Sequence, residues 1–295
     1  MKKPIIIGAG MAGLLAAGML RGDCEKICER QNSVPNNHSA VLRFRSSVVG
    51  DALNIPFKKV TAVKASAPWK NPIADAVSYS RKTNGTATLR SIISADATSS
   101  ERYIAPEDLI SRMVDRVEVP IETGVDLSEA AQTEAPIIST VPMPVLMDYL
   151  GWKDRPDFAS ASGTNYSATI PEADIYCSLY VPDPDLPFSR ISITGDKLVV
   201  ECYANADKHA MTMAEILVLA SKMLGLCPMD LESPKASAQL YGKILPIDEG
   251  VRREFISFAS EKMGIHSLGR YATWRPSLLL DDAVNDVRVL SLIHI

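Results

Sequence analysis

Three glycines near the start of the chain restrict its fold more than any other feature. Gly8, Gly10 and Gly13 follow the apolar run Ile5-Ile6-Ile7 and open an Ala/Leu-rich segment. A short buried strand must therefore turn directly into a helix. At Gly-x-Gly-x-x-Gly spacing, Gly8 permits the tight turn, Gly10 lets a pyrophosphate approach the backbone, and Gly13 lets the helix pack closely on the strand. The free amides of the helix start, with Met11 and Ala12 in its first turn, then face phosphates.

A dinucleotide site also needs a second strand that ends in an acid. The stretch Cys24 to Arg30 supplies one, with Glu29 lying 21 positions beyond Gly8. A carboxylate there accepts hydrogen bonds from the adenosine ribose hydroxyls. Arg30 beside it could instead receive the 2′-phosphate of NADP. The competing reading is a glycine-rich turn that holds no nucleotide, followed by a surface glutamate.

The 295 residues could form one large domain or two modest ones, and no second fingerprint of this kind is present. The five cysteines (Cys24, Cys28, Cys177, Cys202, Cys227) are an odd number without a Cys-x-x-Cys pair. They indicate neither a disulfide framework nor a zinc site, and Cys24 and Cys28 read as packing residues. The opening MKKPIII is not a signal peptide, and no apolar run approaches ~18 residues, so a soluble cytoplasmic protein with no membrane contact is expected.

The net charge of −4 is unevenly spread. Between Val41 and Arg102, ten Lys/Arg face four acids, a surplus of six positive charges. Such an insert beside a nucleotide site points to an anionic substrate or a phosphate-bearing partner, the alternative being a solvated charged face. Within it, Val41 to Ser46 alternates apolar and basic residues, as in a strand with Arg43 and Arg45 on one face. Two parallel guanidiniums would make an anion clamp, or else an exposed strand face.

Further along, Gln31 to His38 reads as a loop, and Ala65 to Ser100 as an irregular cap with one short helix near Pro72 to Ser80. A helix is expected over Ile104 to Arg116, then a short strand at Val117 to Val119. Ala135 to Pro144 reads as a buried strand ending in Ser-Thr-Val-Pro, and a short helix follows, closed by Gly151. Three alternating runs, Ile175–Val181, Ser189–Thr194 and Lys197–Tyr203, predict an antiparallel sheet with a turn at Gly195-Asp196. A helix over Thr212 to Leu224 follows. The chain closes on Gly269-Arg270-Tyr271-Ala272-Thr273-Trp274-Arg275 and a helix-like segment from Ser277 to Val289.

Taken together, the opening fingerprint with Glu29-Arg30, the Ile-Ser-Thr-Val-Pro turn and the closing Gly-Arg-x-x-x-Trp-Arg resemble the FAD-binding proteins of glutathione-reductase fold type. The likeness lies with the UDP-galactopyranose mutase, amine oxidase and protoporphyrinogen oxidase branch. It covers Lys3–Arg30, Ala135–Gly151 and Ile265–Val287. The family's Gly-Gly after the ribose acid is replaced here by Asn36-Asn37-His38.

The resemblance implies an α/β chain with a Rossmann-type FAD-binding domain built on a parallel sheet (residues 1–36, 103–150 and 255–295). Interleaved with it would be a substrate or cap domain containing an antiparallel sheet (37–102 and 151–254). It implies FAD rather than NADP, held by Gly8, Gly10, Met11, Ala12, Gly13, Glu29, Arg30 and Thr140, with Val119 flanking the adenine. Gly269 and Arg270 would lie along the ribityl-phosphate region, Leu280 and Asp281 near the flavin's pyrimidine oxygen, and Trp274 against the cofactor. His266 and Tyr271 would stand near the ring, although His266 also reads as a satisfied core histidine, and Arg43 and Arg45 would bind substrate.

The implied activity is that of an FAD-dependent oxidase or lyase on a C–N bond of a small amine or amino-acid-bearing anion. A narrower likeness, in Asn37–Ser46, Asn71-Pro72 and Tyr79–Lys82, is to small phage-borne flavoproteins, some of which accompany the formation of amino-acid adducts on thymine in DNA. Such a substrate would be linked to nucleic acid, with the basic insert contacting DNA. The alternatives are a redox-neutral mutase similar to the UDP-galactopyranose enzyme and a non-catalytic nucleotide-binding scaffold.

Overall fold

Ile5, Ile6 and Ile7 form β1 (Ile5–Ile7), a strand with every side chain buried because it lies in the middle of a parallel sheet. A computed structural model describes residues 2–35, 43–87, 96–203 and 211–294. β1 is flanked by β2 (Ile27–Glu29) and β7 (Ile137–Ser139), with β6 (Ile121–Thr123) beyond β2 and β13 (Ile265–Ser267) beyond β7. All four pairings are parallel. On one face Ile6, Ile27 and Ile138 pack with helices α1 (Met11–Leu20), α2 (Val48–Leu53), α4 (Leu109–Val114) and α9 (Leu280–His294). On the other, Ile5, Ile7, Ile137 and Ile265 pack with α6 (Met143–Tyr149) and α8 (Glu249–Met263).

The second sheet runs β12 (Glu232–Ile244), β8 (Ser160–Thr169), β11 (Lys197–Tyr203), β10 (Arg190–Gly195), β9 (Ile175–Tyr180), β4 (Lys58–Ser66), β5 (Thr98–Ile104) and β3 (Arg43–Phe44). Its pairings are antiparallel except β4 with β9. One face is apolar: Ile191, Ile193, Leu198 and Val200 bury against α7 (Met213–Met223). Thr212 and Glu215 form a reciprocal capping box at the start of α7, which fixes where that helix begins.

Several expectations are corrected. Among the described residues the strand expected over Val41–Ser46 is reduced to Arg43–Phe44, and Arg45 lies in the bend that follows. Val41 and Leu42, like Asn36 to His38 and Arg90, fall outside the described residues. The expected cap at Ala65–Ser100 is flanked by two long strands that overlap only its ends, β4 and β5, whose Lys, Ser and Thr residues are largely exposed and so carry little apolar signal. Its helix, α3 (Pro72–Asn84), extends past Ser80 to a left-handed Gly85. The helix expected from Ile104 starts only at Leu109, because Ile104 still pairs with Lys58. The strand expected at Val117–Val119 is displaced to Ile121–Thr123, since Pro120 has no amide for the ladder. Strands β8 and β12 and helix α8 were not anticipated.

The parallel sheet takes strands from the segments before residue 36, between 103 and 150 and after 255, while the second sheet takes most of the rest. Two segments cross that division. Phe44, Val49, Leu53 and Ile55 belong to the core around α1, and Phe158, Ile244 and Ile247 to the core around α8. No helix among the described residues is long and apolar enough to span a membrane.

Helix α3 is tied to the second sheet by a buried lysine, whose ammonium donates to the carbonyls of Val181 at 3.2 Å and Asp183 at 2.6 Å. Burial lowers the Lys82 pKa to about 8, so the fold disfavours its charge below that pH. The penalty is full below about pH 8 and fades as pH rises towards the unfolded value near 10.5. Thermal unfolding of wild type and Lys82→Met at several pH values checks this: relative to the variant, the wild type should gain stability between pH 8 and 10. No change in the difference would contradict it.

Candidate functional site

The opening turn is built by two steric demands, one buried carboxylate and one freedom. Gly8 has φ +100°, and a β-carbon there would strike the Thr140 hydroxyl, which donates to the Ile7 carbonyl at 3.0 Å. A β-carbon on Gly13 would collide with the carbonyl oxygen of Gly8, so the helix can sit this close to the strand only with glycine. Ala9 donates its amide to Glu29 at 2.7 Å, and Gln31 donates to the other carboxylate oxygen at 2.9 Å. Glu29 is only 6 % exposed, and each oxygen keeps a lone pair that a hydroxyl could use. Gly10 differs: its φ is −72°, and a β-carbon there would meet nothing within 4 Å. Nothing among the described residues requires glycine at position 10, whereas a phosphate pressed against the backbone would.

The far end of the chain returns to this turn. Leu268 donates its amide to Ser139 at 2.8 Å, and Gly269, with φ +90°, lies so close that a β-carbon would come within 2.8 Å of the Ala12 methyl. Thr273 donates its hydroxyl to the Gly269 carbonyl at 2.7 Å, and Arg275 pairs with Asp286, which ties the closing turn to α9. Asp281, at the start of α9, accepts from the Ser46 amide at 3.0 Å and hydroxyl at 2.9 Å. Three buried polar atoms in this closing stretch, Ser267 Oγ, Arg270 Nε and Asp281 Oδ2, have no hydrogen-bond partner among the described residues. Orphaned buried polar atoms are costly unless something else satisfies them. With the opening turn they fit an extended dinucleotide that runs from Glu29 past Gly10 towards Arg270 and Asp281.

The other expected residues fall in different places. Arg30 is exposed, and Val119 packs partly buried on the α1 core in the loop before β6. Met11 is half-buried against the same core, and Leu280 packs on it at the start of α9. Trp274 is a core residue, 1 % exposed, with its indole donating to the Leu245 carbonyl at 2.8 Å and its ring edge-on to Phe158. His266 lies on the edge strand β13, paired with Ile138. Tyr271 accepts the Met143 amide on its carbonyl, and its ring lies under the Arg270 guanidinium at 5.9 Å. Arg43 and Arg45 do not form a strand pair. The Arg43 guanidinium donates to the Cys177 carbonyl and the Ser178 hydroxyl, and burial, followed by nearby Arg190, lowers its pKa.

A polar chamber that the sequence reading missed lies on the second sheet. Directly paired residues share a face, and one row across five strands reads Ser66, Tyr180, Arg190, Glu201 and Asn165. Two residues along on that face stand Ser178, Ser192 and Tyr203. Although polar, this face is covered: Asn165, Ser178, Ser192 and Tyr203 are all buried. Arg190 and Glu201 form an ion pair, and the carboxylate holds the Arg190 pKa up. Lys243 from β12 stands over two rings, Tyr79 of α3 at 5.3 Å and Tyr203 at 5.6 Å. Gly242 allows this, since a β-carbon there would press on the Tyr203 ring at 3.0 Å. Arg270 is close enough to influence both Lys243 and Tyr203, so the chamber adjoins the closing turn.

A parallel α/β layer with a glycine fingerprint, interleaved with a second curved sheet, is the architecture of FAD-binding flavoproteins. Solved structures agree. Reduced UDP-galactopyranose mutase superposes with TM-score 0.68 at 14% identity over 99% of this chain and 94% of that one. p-Nitrophenol 4-monooxygenase PnpA from Pseudomonas putida DLL-E4 gives 0.59 at 11% identity (100% and 80%), and CtdE, solved in complex with FAD and a substrate, gives 0.57 at 12% (99% and 80%). No protein-family model matches the sequence, and no curated protein matches it in sequence.

The contrast between the glycines gives a direct test. Gly13→Ala should cost about 3 kcal/mol or more by overpacking against the backbone. Gly10→Ala should leave the unfolding free energy within ~0.5 kcal/mol yet weaken dinucleotide binding by at least ~10-fold. Chemical denaturation and equilibrium dialysis measure the two effects, and a Gly10→Ala protein that binds normally would refute the assignment.

Proposed function

We propose that this chain is an FAD-dependent flavoenzyme whose substrate lies between the closing turn and the polar face of the second sheet. The observation that carries the reading is the meeting of Gly269 with Ala12, which brings the orphaned atoms of Ser267, Arg270 and Asp281 to the same end of the parallel sheet as the fingerprint. In this reading Gly10 and the first turn of α1 receive the diphosphate, Glu29 the ribose, and the closing turn with the start of α9 the flavin. When bound, FAD supplies two-electron chemistry at its ring, which the protein itself cannot perform. In the same reading, the helix amides and positive dipole end at the start of α9 would stabilise negative charge on a reduced ring. Arg190, Lys243 and Arg270 orient an anionic substrate by charge, while the buried walls of the chamber limit water.

The finer reading is oxidation or lysis at a C–N bond of a small amine or amino-acid-bearing anion, including an adduct carried on a nucleotide or on DNA. Its support is the likeness of the three motifs to the amine oxidase branch and the cationic lining of the chamber. The extensive overlap with reduced UDP-galactopyranose mutase favours a second reading, a redox-neutral rearrangement of an anionic sugar nucleotide.

Two measurements separate these readings. The purified or FAD-reconstituted protein should show flavin absorbance, and anaerobic addition of the right amine or aminoacyl nucleotide should bleach it. Bleaching by no amine, together with turnover of a nucleotide sugar only after dithionite reduction, would transfer the protein to the second reading. Failure to retain FAD under any condition would remove both.

A further inference from the structure

Among the described residues, the chamber holds more positive charge than its carboxylates neutralise. Arg43 and Arg190 reach its polar face from β3 and β10, Lys243 from β12 and Arg270 from the closing turn. The carboxylate among them is Glu201, 16% exposed and engaged with Arg190. Arg190 Nε is buried without a hydrogen-bond partner among the described residues, while the orphaned Nε of Arg270 is the donor that faces the cofactor in the flavoenzyme reading, so Arg270 contributes here by its charge. The Lys243 ammonium rests over the faces of Tyr79 and Tyr203, and cation–π attraction of this kind offsets only part of the cost of desolvating an ammonium. All four cations are half-buried, the Arg190 side chain keeping 36% of its surface exposed, and unfilled donors among clustered cations favour an anion beside them.

We propose that the chamber is a binding site for a dianionic oxyanion group of the substrate, a phosphate monoester or a dicarboxylate, gripped by Arg190, Arg270 and Lys243. This deepens the flavoenzyme reading, on which it rests for the position of the cofactor. Glu201 pairs directly with Arg190 and acts on Arg43 and Lys243 only through its field, so one carboxylate is shared among several cations. Glu201 acts as an internal competitor: it occupies Arg190 and repels the incoming anion. The grip on the anion therefore depends on displacing or neutralising part of this contact.

The site also has a pH signature. The groups facing Lys243 are Arg190 of β10, Glu201 and Tyr203 of β11, Tyr79 of α3 and Arg270. Burial, then Arg190 and Arg270, lowers the Lys243 pKa to about 8 in the absence of the anion. A bound dianion favours the protonated amine, so binding above pH 8 takes up a proton and weakens as pH rises.

The test is a calorimetric titration of the FAD-reconstituted full chain with inorganic phosphate, malonate and acetate at constant ionic strength. Phosphate and malonate should bind at least ~10-fold more tightly than acetate, and which of the two is tighter separates phosphate from carboxylate recognition. Lys243→Met and Arg190→Met should each weaken the dianion by ~10-fold or more with FAD absorbance retained, and Glu201→Gln should tighten it several-fold. Titrations at pH 9 in buffers of different ionisation enthalpy should reveal proton uptake that Lys243→Met abolishes. Equal binding of acetate and dianions, an unchanged affinity in Lys243→Met, or displacement of FAD by phosphate would each overturn the proposal. Displacement would assign the cations to the cofactor's own phosphates. Should the protein bind FAD yet fail these titrations, the flavoenzyme reading stands without the dianion site; should it bind no FAD, that reading itself falls.

Discussion

The contact between the backbone of Gly8 and that of Gly13 governs the rest of the molecule. It lets α1 start where β1 stops, with no room for a side chain between them. From that one close approach follow the central position of β1, the burial of Leu14, Leu15, Ala16 and Ala17 along α1, and the placement of the helix start at the ends of three parallel strands. Glu29 secures the arrangement from the side by accepting the amide of Ala9. The same carboxylate thus holds the turn in shape through the Ala9 and Gln31 amides and keeps further lone pairs unused by them.

The second sheet divides its labour by face. The side carrying Ile191, Ile193, Leu198 and Val200 gives the sheet its stability through α7, as period-two alternation demands. The opposite side is polar yet largely removed from solvent, an arrangement that costs free energy unless hydrogen bonds and counter-charges are supplied. Some are supplied internally, as with Arg190 and Glu201 or Arg43 and Ser178. A surface that keeps such a balance only partly closed is typical of a binding site rather than of a core.

What could be read from the sequence depended on how local the signal was. The fingerprint, the acid that ends β2 and the Ile-Ser-Thr-Val turn are short-range patterns with a steric or hydrogen-bonding cause, and the parallel sheet followed from them. Strands β4, β5 and β12 escaped because their Lys, Ser and Thr residues are exposed or face a polar chamber, so the apolar alternation that marks a strand is missing. Arg190, Glu201 and Tyr203 alternate correctly with buried neighbours, but a polar face covered by other elements looks in sequence like one covered by water. The pairing of Arg43 with Ser178, 135 positions away, could not be read from spacing at all. The expected clamp of Arg43 and Arg45 failed for a related reason: Arg45 follows the end of a two-residue strand.

Strand β13 has a consequence for how the protein comes into being. The parallel layer is completed by residues 265–267, and the turn that closes over Ala12 follows directly. During synthesis, β1 and α1 emerge long before β13, the strand that completes their sheet. Until then the nascent N-terminal unit has an open sheet edge at β7, a template for mispairing that β13 later covers. A chain interrupted before residue 265 would therefore carry an intact fingerprint with nothing to close over it.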